Sequence, residues 1–329
     1  MVHHQLIPLD SPDEWRGALE GIAHGFAHTW EHCYAMQLTT GFRTYLYCFE
    51  QEGVRITCPI VEREFEGSVD VAKPFGFSGF IGNGDCPDFQ QHWKEFARQR
   101  GYVCGYIGLD PVFENSTYFE PTEAYLHNNL YFLDLTPSHD ELFTNLHMNR
   151  RRQLRNWDDI LPHIVLDRQA VTDFFLAHYL DFMRGKNAAP FYYFSRETLS
   201  FLMALDNLLI VGAPDATKLE SVAVFFYTPD VGEYFINVSL PEGRHHAVAL
   251  LWYGVNYLKS LQVPLLNLGG STQENDSMAQ FKERFGSKRV PLKSLKQIYN
   301  PDSYQRLCRQ VGADPDAMTG YFPAYRAPR

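Results

Sequence analysis

The chain has 329 residues, a formal net charge of -10 at pH 7, and 45% hydrophobic and 15% aromatic residues. Its length exceeds what one hydrophobic core usually serves, so two compact units are expected, and its hydrophobic share excludes a disordered chain. The acidic balance excludes a surface made wholly for nucleic acid and gives no reason to expect DNA as a partner.

Six cysteines at positions 33, 48, 58, 86, 104 and 308 form no C-x-x-C pair. That spacing favours reduced thiols in a cytoplasm over a zinc knuckle or a disulfide framework. The opening MVHHQLIPLD has no basic stretch followed by an apolar one, and no apolar run approaches the roughly 18 residues of a membrane span. The expectation is a cytoplasmic protein with no transmembrane segment, although peripheral contact with lipid-linked substrates stays open.

The first chemical pattern along the chain is His28-Thr29-Trp30-Glu31-His32, the H-x-x-E-H order of inverted zinc proteases. No third ligand is identifiable, and Gly25 and Thr29 are poor helix formers, so no metal is expected. RTYLYCF, EQEG and VRITCPIV then read as a hairpin with glycine at its turn. Phe75-Gly76-Phe77-Ser78-Gly79-Phe80-Ile81-Gly82 alternates aromatics with glycine and fits neither strand nor helix. It predicts a loop wall in which Phe75 and Phe77 shield a ligand from water, although a tight core turn uses the same residues. FQQHWKEFARQRG and YVCGYIGLD predict a helix and a returning strand.

YFLDLTPSHDELFTNLHMNRRRQLRN predicts a strand, a turn and a helix, with Thr136 or Ser138 as N-cap and the domain boundary near Leu135. Within it, Arg151 and Arg155 share a helical face and suit an anionic substrate group, or else simply a solvated face. LLIVGA, SVAVFFYT and EYFINVSL repeat the hairpin logic, and AVALLWYGVNYLKSLQ with VPLLNLGG repeats the helix and returning strand. The two halves carry the same elements in the same order, an internal duplication. Gly243, Arg244, His245, His246 and Ala247 join a strand to a helix N-terminus, a junction whose free N–H groups suit a pyrophosphate. From Lys282 to Lys296 six basic residues face one acid, a local +5 that invites an anionic partner such as tRNA or coenzyme A phosphates. No G-x-S-x-G elbow, Walker loop or G-x-G-x-x-G follows a strand, which removes the commonest hydrolase, nucleotidase and dinucleotide readings.

HTWEHCYAMQ, PFGFSGFIG, LHMNRRRQLRN, KNAAPFYYFS, INVSLPEGRHHAVALLWYGVNYLKS and above all LNLGGSTQENDSMAQFKERFG resemble the Fem-type peptidyltransferases and BioF2-like acyltransferases of the GNAT superfamily. The resemblance reaches nearly to Tyr304 and implies an α/β protein of two tandem acetyltransferase-like (GNAT) domains, taken as 1–135 and 136–329. Each would be a mixed, mostly antiparallel sheet flanked by helices. It implies amide formation on an amine acceptor, with no tightly bound cofactor and with aminoacyl-tRNA or acyl-CoA as co-substrate. By the resemblance, Lys282 of the Phe-Lys motif is the cation beside the donor, and Gly243 to Ala247 contact the donor. Asp276 is a candidate to take up or hold the amine proton, or to cap the SMAQFKERF helix. Arg151, Arg155 and Tyr193 are acceptor contacts. Three activities follow as expectations: Fem-like use of aminoacyl-tRNA on a peptidoglycan precursor or small peptide, acyl-CoA-dependent N-acylation of an amino sugar or other envelope metabolite, or a non-catalytic binding protein on the same scaffold.

Overall fold

The computed structural model describes residues 2–113, 116–215, 218–271 and 275–328. The chain divides into two compact units, residues 1–128 with 291–329, and residues 129–290.

The first unit begins with β1 (His3–Pro8), α1 (Pro12–Leu19) and α2 (Trp30–Thr40). Thr29 caps α2 by accepting from the His32 N–H at 3.2 Å, and Gly41 ends it in the left-handed region at φ 67°. β2 (Arg43–Gln51) and β3 (Val54–Phe65) form the expected hairpin. Its two-residue turn puts Glu52 and Gly53 at φ 51° and 88°, which matches the twist of the strands. β4 (Ser68–Ala72), the two-residue β5 (Ile81–Gly82), α3 (Phe89–Gln99) and β6 (Tyr102–Leu109) follow. α3 lays Phe89, Trp93 and Ala97 on the sheet against Phe49, Val71 and Ile107. Those apolar positions recur at i, i+4 and i+8, the spacing of one helical face.

Within β7 (Ala124–Asp134) the chain enters the second unit. The single helix expected after it is two: α4 (His139–Asn145), with Ser138 and Glu141 in a capping box, and α5 (Met148–Leu154), started afresh by His147. The short α6 (Trp157–Ile160), α7 (Arg168–Gly185) and α8 (Arg196–Met203) lead to β8 (Leu208–Asp215), β9 (Lys218–Tyr227) and β10 (Gly232–Ser239). α9 (Ala247–Ser260), β11 (Leu265–Gly270) and α10 (Ser277–Glu283) complete the unit. α9 buries Leu251, Val255 and Leu258 against Phe225, Leu266 and Leu133. β12 (Lys288–Ile298) carries the chain back, and α11 (Pro301–Val311) places Leu307 and Cys308 against Val103 and Cys104 of the first unit.

The strand order is β1-β2-β3-β4-β6-β12 in the first unit and β8-β9-β10-β11-β7 in the second. Each sheet is antiparallel except for one parallel pair, β4 with β6 and β10 with β11. The expectation of two mixed, mostly antiparallel, helix-flanked units is met, and the duplicated order of elements reappears as a duplicated order of strands. The units are not consecutive halves, however. β7 follows β6 in sequence yet pairs with β11, whereas β12 follows β11 and pairs with β6. Residues 291–329 therefore pack with the first unit, although the sequence division at Leu135 assigns them to the second.

Candidate active site

In the second unit the parallel strands β10 and β11 pair only at Gly232 with Leu266 and Glu233 with Asn267. Beyond that point no β10–β11 pair exists among the described residues, so the β10 edge lacks a strand partner on the β11 side. β10 also carries an irregularity: Tyr234 faces Phe225 and Ile236 faces Val224, leaving Phe235 as an extra residue. A bulge of this kind turns the backbone and re-aims its polar groups. The two strands thus splay into a wedge whose β10 edge carries backbone N–H and C=O groups not paired to β11 among the described residues, the arrangement an extended ligand can complete.

The end of β11 is shaped by LNLGG. The buried Asn267 accepts the Gly269 N–H on its Oδ1 at 2.8 Å, and Gly269 takes φ 75°, a conformation glycine adopts without strain. The β7 pairing shifts at the same place, from Asn267 opposite Phe132 to Gly270 opposite Leu130. This turn presents the Gly270 carbonyl to the Lys282 ammonium, which donates to it. Lys282 is only 6% exposed, and its Nζ lies 5.8 Å from the centre of the Tyr131 ring. Burial pushes its pKa down to about 8, against the opposing pull of Asp276. An ammonium of that strength keeps its charge in about nine molecules of ten at pH 7 yet gives up its proton far more readily than an ordinary lysine, which suits charge stabilisation and proton transfer alike.

Asp276 is the N-cap of α10 and accepts the Ala279 N–H at 2.8 Å. Its carboxylate thereby sets the start of the helix that carries Lys282. Residues 272–274 of the LNLGGSTQENDS segment lie outside the described residues.

The junction of residues 243–247 is a 3-10 turn, Glu242–His246, that runs straight into α9. Its N–H groups are less free than expected: Gly243 donates to Leu240 and Ala247 to Arg244. Gly243 is demanded by packing, because a Cβ there would collide with the Glu220 carbonyl. The His245 and His246 rings lie with centres 3.8 Å apart at a tilt of 39°, and burial followed by its neighbour His245 lowers the His246 pKa.

Arg151 and Arg155 are exposed, as a solvated face requires. The buried arginine of the run is Arg150, whose guanidinium lies 4.6 Å from the Phe281 ring centre and 5.4 Å from that of Phe285. It therefore braces α10, an effect the sequence reading missed although Leu146, Arg150 and Leu154 share one apolar spacing. Tyr193 is half-buried, and its neighbour Phe194 stacks on the bulged Phe235 with ring centres 6.1 Å apart.

Phe75 and Phe77 belong to the first unit and are half-buried in the irregular segment between β4 and β5. Two histidines hold that segment: His32 Nε2 is 2.7 Å from the Phe75 carbonyl, and His28 Nε2 is 3.2 Å from both the N–H nitrogen and the carbonyl of Gly79. His28 closes a 3-10 turn and His32 lies within α2, with the capping Thr29 between them. The H-x-x-E-H pattern thus does not occupy one helix. Its imidazoles brace a loop.

No family model matches the sequence, and no curated protein matches it. Among solved structures, FemX matches with a TM-score of 0.67 at 10% identity, over 92% of this chain and 99% of that one. The chain has the FemX fold. A conserved protein of unknown function from Bacteroides thetaiotaomicron matches with a TM-score of 0.61 at 10% identity, covering 91% of this chain and all of that one. L-PGS from Bacillus licheniformis matches at 0.56 and 12% identity, covering 92% and 98%. The FemX match covers residues of both units. Among the described residues no helix is long and apolar enough to cross a membrane.

Proposed function

We propose that the chain is a cytoplasmic acyl- or aminoacyltransferase that forms an amide on an amine acceptor. In its Fem-like form it takes an aminoacyl group from aminoacyl-tRNA and delivers it to a peptidoglycan precursor or small peptide. The observation that carries this reading is Lys282: a buried ammonium, held at the end of β11, the strand from which β10 splays away. The FemX fold supports it. On this reading the two contact units serve as the domains, in place of 1–135 and 136–329.

In such a transfer the acceptor amine attacks the donor carbonyl, a C–N bond forms, and the tetrahedral oxyanion collapses with loss of the donor's oxygen or sulfur. The amine loses a proton and the leaving group gains one. Lys282 offsets the oxyanion charge and, with its pKa of about 8, supplies the proton to the leaving oxygen. Backbone groups on the β10 edge orient the donor by hydrogen bonds. A proton donor matters more for an ester than for a thioester, because an alkoxide is a far poorer leaving group than a thiolate. That favours aminoacyl-tRNA over acyl-CoA as donor.

The test offers charged tRNA and acyl-CoA pools separately, with product detected by mass. Product from charged tRNA that RNase abolishes supports the reading. Product from acyl-CoA alone assigns the alternative donor, and full activity of Lys282→Ala would remove that lysine from the mechanism.

A further inference from the structure

One cluster of polar side chains in the first unit plays no part in the transfer chemistry described above. β4, β6 and β12 lie side by side in the sheet, and Ser294 pairs with Gly108 while Lys296 pairs with Tyr106. All four positions alternate with the apolar set of Ile107, Leu109 and Leu295 that faces α3, so they share the opposite face. Lys73, just past β4, donates its backbone N–H to the Tyr106 carbonyl at 2.9 Å. Its stem passes over Gly108, where a Cβ would lie 2.7 Å from Lys73 Cδ. His127 of β7 adds its imidazole, with Nδ1 3.4 Å from Ser294 Oγ and its ring centre 6.4 Å from that of Tyr106.

The charges here are all of one sign. No salt bridge among the described residues involves Lys73, His127 or Lys296. Lys296 is saturated: it donates to the Met318 and Gly320 carbonyls at 2.5 and 2.8 Å and sits 5.0 Å from the Tyr125 ring centre. It contributes field. Lys73 makes one short bond, 2.6 Å to the Gly76 carbonyl, and one long one, 3.4 Å to Pro74, which leaves ammonium capacity unspent. Burial, then Lys73, lowers the His127 pKa, and Lys296 adds to that effect, so the imidazole senses both cations. Ser294 forms a floor that is 1% exposed, and His127 forms an exposed rim.

We propose that Lys73, His127 and Ser294, backed by Tyr106 and Lys296, bind the phosphate group of a phosphorylated small molecule. The donor set decides between anions. A carboxylate is best matched by the planar fork of an arginine, and none stands among these side chains. Point-like ammonium, imidazole and hydroxyl donors gathered on one face of the sheet suit a tetrahedral anion with several acceptor oxygens. An anion there also offsets the mutual repulsion of the cations. When His127 donates Nδ1–H to the Ser294 oxygen, the Ser294 O–H stays available to the ligand, and as the imidazolium that a bound anion favours His127 donates Nε2–H as well.

The inference stands apart from the transferase reading, because it concerns capture of a ligand by the first unit and involves no residue of the Lys282 site. Its test uses the full chain and inorganic pyrophosphate as probe, with the His127 imidazole resonances as reporter. Pyrophosphate is expected to shift them saturably, while acetate at equal ionic strength does not. Lys73→Met and Ser294→Ala are expected to weaken binding at least tenfold, and Lys282→Ala to leave it unchanged. Should Lys73→Met fail to fold, His127→Gln at the exposed rim is measured by calorimetry and is expected to show the same loss. Absence of a saturable shift, wild-type affinity in the folded variants, or an equal response to acetate would each overturn the proposal.

Discussion

Lys282 donates its ammonium to the carbonyl of Gly270, twelve residues earlier in the chain. The contact ties α10 to the end of β11 and fixes a buried charge where β11 turns away from its pairing. Two effects compete in its energetics. Lowering a lysine from 10.5 to about 8 corresponds to a folding cost of roughly 3 kcal/mol, whereas one hydrogen bond to a carbonyl returns roughly 1–2 kcal/mol. The burial cost wins. Lys282→Met is therefore expected to raise stability by about 1–2 kcal/mol at pH 7 while lowering transfer at least a hundredfold, with urea denaturation and a transfer assay as the measurements. Because the folded pKa lies below the unfolded one, the penalty is complete below pH 8 and fades as pH rises towards 10.5. The gain from the Met variant should shrink across that window. A variant less stable than wild type at pH 7 would contradict this account.

His28 and His32 give the molecule an acid-labile brace. Burial above all lowers their pKa values to about 3 and about 4. Above pH 6.5 both are neutral folded and unfolded alike. As pH falls, the unfolded chain takes up protons first, so stability is lost progressively until the folded pKa values are reached. Between pH 7 and pH 5 the pair should cost about 4 kcal/mol. The double variant His28→Gln/His32→Gln should lose that portion of the slope in urea midpoints measured across the range; an unchanged slope would show that other groups set it.

The arginine run separates into one structural member and two solvated ones. Arg150→Ala removes a guanidinium packed on Phe281 and Phe285 and should cost about 2–3 kcal/mol. Arg151→Ala and Arg155→Ala should stay within about 0.5 kcal/mol of wild type in thermal unfolding. If those two instead reduce acceptor affinity with stability unchanged, their role as acceptor contacts gains support.

Gly243→Ala places a methyl against the Glu220 carbonyl, which belongs to β9 and has little freedom to move. A loss of about 2 kcal/mol is expected from such overpacking. Chemical denaturation reads it directly, and a neutral result would mean that the turn before α9 shifts easily.

Much of the fold was legible because its determinants are local. The i, i+4, i+8 spacing of Phe89, Trp93 and Ala97 announces α3, and Gly53 announces the β2–β3 turn. The break between α4 and α5 was hidden because a second cap, His147, lies inside a stretch with no proline or glycine. Thr29 similarly disguised the histidine pair, since a capping residue separates two positions that one helix would align. Lys282 could be named from its motif, but its burial depends on the end of β11 and on Tyr131, the latter remote in sequence. Lys73 and His127 escaped notice for the same reason: they are 54 positions apart in sequence, and only the sheet brings them together.

The crossing of β7 and β12 also orders events in time. β6 lacks its β12 neighbour until Ile298 has been synthesised, about 10–40 s after Leu109 at ordinary elongation rates. Through that interval the nascent first unit carries an unpaired inner strand edge, the kind of surface that recruits foreign strands. The second unit, by contrast, can close its sheet as soon as β11 emerges. Maturation should therefore run from the middle of the polypeptide outward, with the amino-terminal unit finished last, and chaperone dependence should concentrate on chains stalled before residue 291.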